Sequence, residues 1–139
     1  MRPEETPTPE ELWEAVRPRP MLVIRANDTV IYAHPEDNPS ARAFLEKLSA
    51  EALVLELRDC GGFEKSGPLP WEMPRNDREI TAGPGDLILF QGNTLALYYG
   101  ENTRSLTRLA RNFKFTGEEL LEVLGDGDVT VEISVEWSE

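Results

Sequence analysis

Arg104, Arg108 and Arg111 gather three guanidinium groups into one short stretch of an otherwise acidic chain. A guanidinium is planar and always charged, so such a cluster could hold a carboxylate through paired hydrogen bonds; the same arginines could equally pair with the chain's many glutamates. Lys65 and Trp71 stand in a proline-rich stretch, where a cation and an indole could line a groove for an anionic or apolar ligand. The alternative there is that Trp71 covers an end of the core and Lys65 points to solvent. Tyr98 and Tyr99 are adjacent in a strand-like run, so their rings must point to opposite faces. One belongs to the core, and the other is placed to line a groove with Gln91, Asn93 and Arg104.

The remaining polar residues argue against catalysis. His34, beside Pro35, Glu36 and Asp37, lacks the ligand number and spacing of a zinc centre and reads as a surface loop residue. Asp126-Gly127-Asp128 lacks the further oxygen ligands of a calcium loop and reads as the turn into the last strand. Cys60 has no histidine close in sequence to activate it and reads as a small, half-buried strand-end residue. Glu118, Glu119 and Glu122 form the first turn and solvent face of a helix. No catalytic residue, metal or cofactor is expected.

The elements that would position these groups follow from caps and turns. Thr8-Pro9-Glu10-Glu11 is a capping box for a short helix through Leu12, Trp13 and Val16, which Pro18 and Pro20 must stop. Residues 1–20 are therefore read as an extension and 21–139 as the domain. Met21–Ala26 and Val30–Ala33 form a hairpin around Asn27-Asp28. Asn38-Pro39 opens an amphipathic helix carrying Ala41, Phe44, Leu45 and Leu48. Ala52–Arg58 is a strand, followed by Gly61-Gly62 and a surface loop through Gly67, Pro68, Pro70 and Pro74. Leu87–Phe90 and Leu95–Tyr99 pair across Gln91-Gly92-Asn93, with Gly92 and Asn93 supplying the left-handed backbone. A strand over Thr107–Phe113 precedes a helix over Gly117–Leu124, capped by Thr116 and Glu119 and ended by Gly125. In the last strand Val129, Val131, Ile133, Val135 and Trp137 alternate onto one face, read as core. Seven or eight short strands with two internal helices and no βαβ alternation imply a mainly β fold. An antiparallel barrel with a helix over one end suits that pattern, because closure removes exposed edges.

Composition narrows the partners. At 139 residues the chain has room for one core. The net charge of −12 argues against nucleic acid and against an anionic membrane surface, and is read as a solubility device. A single cysteine excludes an internal disulfide, and no run is long and apolar enough for a membrane span, so a cytoplasmic protein is expected.

Three stretches carry a resemblance: EDNPSARAFLEKL from Glu36 to Leu48, the Lys65-containing loop ending in Leu69-Pro70, and GDLILFQGNTLALYYG from Gly85. In this order, across Met21–Trp137, they resemble the small prokaryotic cyclophilin-like proteins. The resemblance implies an eight-stranded β-barrel closed by helices, in a family whose biochemical role is largely unassigned. It also lays Arg58 and Phe63 on the isomerase arginine and first pocket phenylalanine, and Tyr98 or Tyr99 on a later aromatic. The only histidine, His34, is in the wrong region to serve an isomerase.

The expected function is a cyclophilin-like barrel that binds a small molecule or peptide in a groove without the isomerase residue set. Arg58, Phe63, Lys65, Trp71, Gln91, Tyr98, Tyr99 and Arg104 are the candidate contacts. The alternatives are a peptidyl-prolyl isomerase with Arg58 as donor, and an assembly subunit that meets a second copy through Leu12 and Trp13.

Overall fold

Turn residues decide where this chain reverses. Asn27 adopts φ of +53° between strand β1 (Arg19–Ala26) and strand β2 (Thr29–Pro35), a left-handed backbone that asparagine tolerates well. Its side-chain amide donates to the Val123 carbonyl at 2.7 Å, tying this hairpin to a helix far along the chain. The computed structural model describes residues 19–138. The helix expected over Thr8–Val16 lies outside them, and the first strand begins at Arg19 instead of Met21.

Helix α1 (Pro39–Ala50) starts as its sequence dictates, with the Asn38 side chain accepting from the Ala41 N–H at 2.7 Å and proline in the first helical position. Ala41, Phe44 and Leu48 are its buried stripe. Strand β3 (Leu53–Cys60) follows, and then the proline-rich stretch departs from expectation. Glu64–Pro68 is strand β4, paired with β3 on one side and β7 (Thr94–Tyr98) on the other, and Arg78–Ala82 is strand β5. The residues EKSGP lack the apolar alternation that marks a strand, although Lys65 and Gly67 alternate onto the buried face. Gly67 fits there because a Cβ would collide with the Glu56 carbonyl.

Strand β6 (Asp86–Phe90) and β7 form the central hairpin. Its left-handed residues are Gln91 (φ +54°) and Gly92 (φ +74°), one place earlier than the expected Gly92-Asn93. Strand β8 (Asn102–Arg111) begins before the expected Thr107, and helix α2 (Gly117–Leu124) carries the full Thr116–Glu119 capping box. Strand β9 (Val129–Ser138) buries Val129, Val131 and Ile133, but its end leaves the core: Val135 is half-buried and Trp137 is exposed.

All pairings are antiparallel, in the order β2-β1-β9-β3-β4-β7-β6-β8-β5. A further pairing joins β2 to β8 through His34↔Arg111 and Pro35↔Ala110. Strand β8 is shared lengthwise, Asn102–Leu106 with β5 and Thr107–Arg111 with β6, with a register shift between Leu87 and Ile88. Leu87, Leu89, Leu95 and Leu97 join the main core with the stripes of both helices. Ile88, Ala96 and Tyr98, on the opposite face of the same strands, pack with Ala82 and Leu106 into a second cluster. Among the described residues no helix is long and apolar enough to cross a membrane.

A close backbone approach in left-handed conformation falls at Gly85, with φ of +89°. Its N–H donates to the Tyr98 carbonyl at 2.9 Å and its own carbonyl accepts the Asn112 N–H at 2.8 Å. A Cβ there would strike the Asn112 carbonyl. Gly85→Ala is expected to cost about 2–4 kcal/mol in urea denaturation, from left-handed strain plus the collision. A cost below about 0.5 kcal/mol would show that the turn relaxes freely.

Candidate functional site

Lys65 sits on β4 with its side chain turned toward the core, opposite Leu97, and is fully buried. Its ammonium donates to the carbonyls of Gly125 (2.8 Å) and Gly127 (2.7 Å) and lies 3.4 Å from Asp59 Oδ1. A buried ammonium is stable only when its donors are satisfied, and here backbone and carboxylate oxygens satisfy them. The alternative by which Lys65 points to solvent is thus overturned. The Tyr99 hydroxyl donates to the same Asp59 oxygen at 2.6 Å, and its ring lies 5.9 Å from the Lys65 ammonium. Asp59 is held below the usual carboxylate range, first by the Tyr99 hydrogen bond and then by the Lys65 charge, against a contrary effect of burial. Burial, then the Asp59 carboxylate, push the Tyr99 phenol up to about 12.

The arginine cluster is divided. Asp86, itself buried, accepts the Gly83 N–H at 3.0 Å and the Arg108 Nε–H at 3.1 Å, with Arg111 Nε 3.4 Å from its other oxygen. The carboxylate that Arg108 and Arg111 hold is therefore the chain's own. Arg104 instead lies 4.4 Å over the Phe90 ring. Strand alternation does put Arg58 and Tyr98 on the same side of the sheet, away from the main core, with the Phe63 ring 5.5 Å from that of Tyr98. Yet Tyr98 is only 1% exposed, beneath the β5–β8 ladder that supplies Ala82 and Leu106. Glu64 stands against Tyr98 and Cys60, and burial raises its carboxyl above the usual range. Cys60 is exposed, not half-buried as expected, and Arg58 and Gln91 are exposed as well.

The strand expected to wall a groove is therefore occupied on both faces: Leu95, Ala96, Leu97 and Tyr98 are all buried. Openings lie elsewhere. Trp71 lines a 310 Å³ cleft with Lys47, Leu53 and Pro70, its ring edge-on to Phe44 at 6.2 Å and 5.5 Å from the Lys47 ammonium. A polar cleft of 160 Å³ lies by the start of α1. A third, of 370 Å³, is lined by Val30, Tyr32 and His34 of β2 and by Phe113, Lys114 and Phe115 after β8. His34 thus belongs to a strand, not a loop, with its ring 5.8 Å from that of Phe113. Among the described residues no group of His, Cys, Asp and Glu could hold a metal ion.

Asp59, Asp86 and Asn112 are the organising polar residues that were not among the candidate contacts. Asp86 follows a glycine and opens an apolar strand, which is a usable signal; Asp59 becomes meaningful only when β4 is known to pair Lys65 across from it. Asn112 donates to the Tyr32 carbonyl at 2.6 Å and accepts the N–H groups of Lys114 and Phe115 at 3.0 and 2.9 Å, which shapes the 370 Å³ cleft.

Among the described residues, an antiparallel sheet of nine strands with two helices and charges sequestered in its interior defines a mainly β protein. The model of the cyclophilin-like family matches residues 24–134, and the chain belongs to that family. No curated protein matches the sequence.

Lys65→Met is expected to lower stability by about 1–3 kcal/mol in urea denaturation, because the Gly125 and Gly127 carbonyls and the Asp59 carboxylate lose their shared donor. Retention of full stability would show that water replaces the ammonium. The Tyr99 phenol keeps its proton to about 12 in the fold, whereas an unfolded tyrosine loses it near ~10. Its stabilisation is thus intact below pH ~10 and lost as pH rises from there through the folded value; that of Asp59 is present above pH ~4 and lost on acidification. The stability gap between the protein and its Tyr99→Phe variant should be flat near neutrality and shrink at both extremes. A gap unchanged at pH ~12 would contradict the Tyr99–Asp59 assignment.

Proposed function

We propose that the protein is a cyclophilin-like barrel that binds a small molecule or peptide and catalyses no prolyl isomerisation. The β2–β8 pairing supports closure, since it connects the first strand of the sheet order to the eighth and leaves β5 as a flap on β8. The isomerase reading needs an open apolar groove over Arg58, Phe63 and Tyr98, and the β5–β8 ladder packed onto Tyr98 speaks against it. Binding moves instead to the cleft between β2 and the segment after β8.

One observation carries this reading: Phe113 is 71% and Tyr32 51% exposed, side by side in a 370 Å³ cleft whose rim is cationic in a chain of net charge −12. Arg111 lies 5.2 Å from the Phe113 ring and Lys114 6.0 Å from the Phe115 ring. Aromatic faces left in water beside cations suit a ligand with an apolar body and an anionic group, such as an aromatic carboxylate or an acidic peptide with an apolar residue. The volume falls within the range of small-molecule sites, about 300–1,000 Å³.

A thermal-shift screen of metabolites and of proline-containing and acidic peptides should give ligands that raise the melting temperature. Phe113→Ala should weaken them by about tenfold or more and leave the unliganded melting temperature unchanged. A screen with no stabilising ligand would defeat the binding reading. In a protease-coupled proline-peptide assay the protein should not accelerate isomerisation above buffer, and clear acceleration would restore the enzyme reading.

A further inference from the structure

The 160 Å³ cleft beside α1 is independent of the aromatic one and differs in chemistry. Glu36, Asp37, Asn38, Asn76, Arg78 and Arg108 meet there around the side chain of Ile80. Several of these groups are already engaged. Asp37 pairs with Arg42 at 2.6 Å, and Arg108 is held by Asp86 at 3.1 Å and by the Thr81 carbonyl at 3.2 Å. Asn38 accepts from the Ala41 N–H and donates to the Arg108 carbonyl, so both ends of its amide are used.

Three groups remain. Glu36 and Arg78 make no ion pair or side-chain hydrogen bond among the described residues. Asn76 is oriented by its neighbour: the N–H of fully buried Ser40 donates to it at 2.8 Å, and an N–H can only meet the amide oxygen. Its NH₂ end is left for the cleft. Its backbone is fixed too, with Asn76 N–H donating to Thr107 Oγ1 at 2.9 Å and Thr107 in turn to Asp77 at 2.7 Å. The cleft therefore offers a carboxylate on one side, a guanidinium and an amide N–H on another, and one aliphatic wall.

We propose that this cleft binds the zwitterion of a small free α-amino acid, with Glu36 receiving the ammonium, Arg78 and Asn76 the carboxylate, and Ile80 the side chain. Size limits the choice, because a cavity of roughly 150 Å³ holds a molecule of about six heavy atoms, the size of alanine. Charge limits it further, since an anion alone leaves Glu36 unpaired against it and a cation alone leaves Arg78 unpaired.

Isothermal titration of the full chain with L-alanine, L-proline, alaninamide and propionate separates the two charge requirements. L-alanine is expected to bind, with alaninamide and propionate each weaker by about tenfold or more. Arg78→Gln should weaken alanine by about tenfold and erase its advantage over alaninamide; Glu36→Gln should do the same for its advantage over propionate. Circular dichroism confirms folding of both variants, and Phe113→Ala should leave alanine binding unchanged. Equal affinity for alanine and propionate, absence of binding by either amino acid, or variants that bind alanine as well as the parent protein would overturn the proposal.

Discussion

The contact between Gly85 and Asn112 is the constraint on which the rest of the sheet depends. Only a residue without a Cβ, in a left-handed backbone, lets the start of β6 lie against the end of β8 this closely. Two backbone hydrogen bonds use that approach, one to Tyr98 and one from Asn112. Asp86 follows directly, and its buried carboxylate draws Arg108 and Arg111 of β8 onto the same point. The register shift between Leu87 and Ile88 falls near this junction, where the end of β8 pairs with β6 and touches β2. From Asn112 a further hydrogen bond reaches β2 at Tyr32, so one glycine brings three strands together.

Among the described residues Lys65 and Asp86 are charges sequestered inside this acidic chain, and both act as ties between distant segments. Lys65 joins β4 to the turn before β9, and Asp86 joins a turn to β8. Either group left alone would destabilise the interior, since an unpaired buried charge costs several kcal/mol, on the order of 3–5 when one partner is removed. Each is therefore an all-or-none feature: its partners must come together for the chain to close around it. That specificity comes at the expense of chemistry, because buried side chains turned to internal partners have little left for a ligand.

Openings accordingly lie at the margins of the sheet, where strands exchange partners. The aromatic cleft flanks the β2–β8 pairing, and its shape comes from Asn112, the residue that also meets Gly85. The polar cleft lies where α1 meets the segment leading into β5, with Ser40, Asn76 and Thr107 fixed in one hydrogen-bonded run beneath it. Each has a hydrogen-bonded base, Asn112 in one and Asn76 in the other, while the side chains that would meet a ligand stand free above it.

Local chemistry alone determined the features that involve few residues. Asn38-Pro39 could only open a helix, Thr116 and Glu119 could only cap one, and the alternation from Val129 to Ile133 could only be a half-buried strand. The cyclophilin-like family was legible too, because its marks are turns and caps of this kind. Strands β4 and β5 were not, since EKSGP and REITA carry no periodic apolar signal and become strands through the partners beside them. The site suffered for the same reason: with β4 read as a loop, Lys65 faced solvent and Asp59 had no partner. Which tyrosine is buried, where the arginines turn and which clefts stay open depend on pairings between residues far apart in sequence. Strand preference depends on the neighbours a side chain packs against, and those neighbours are set only when distant segments come together, so tertiary structure decided them.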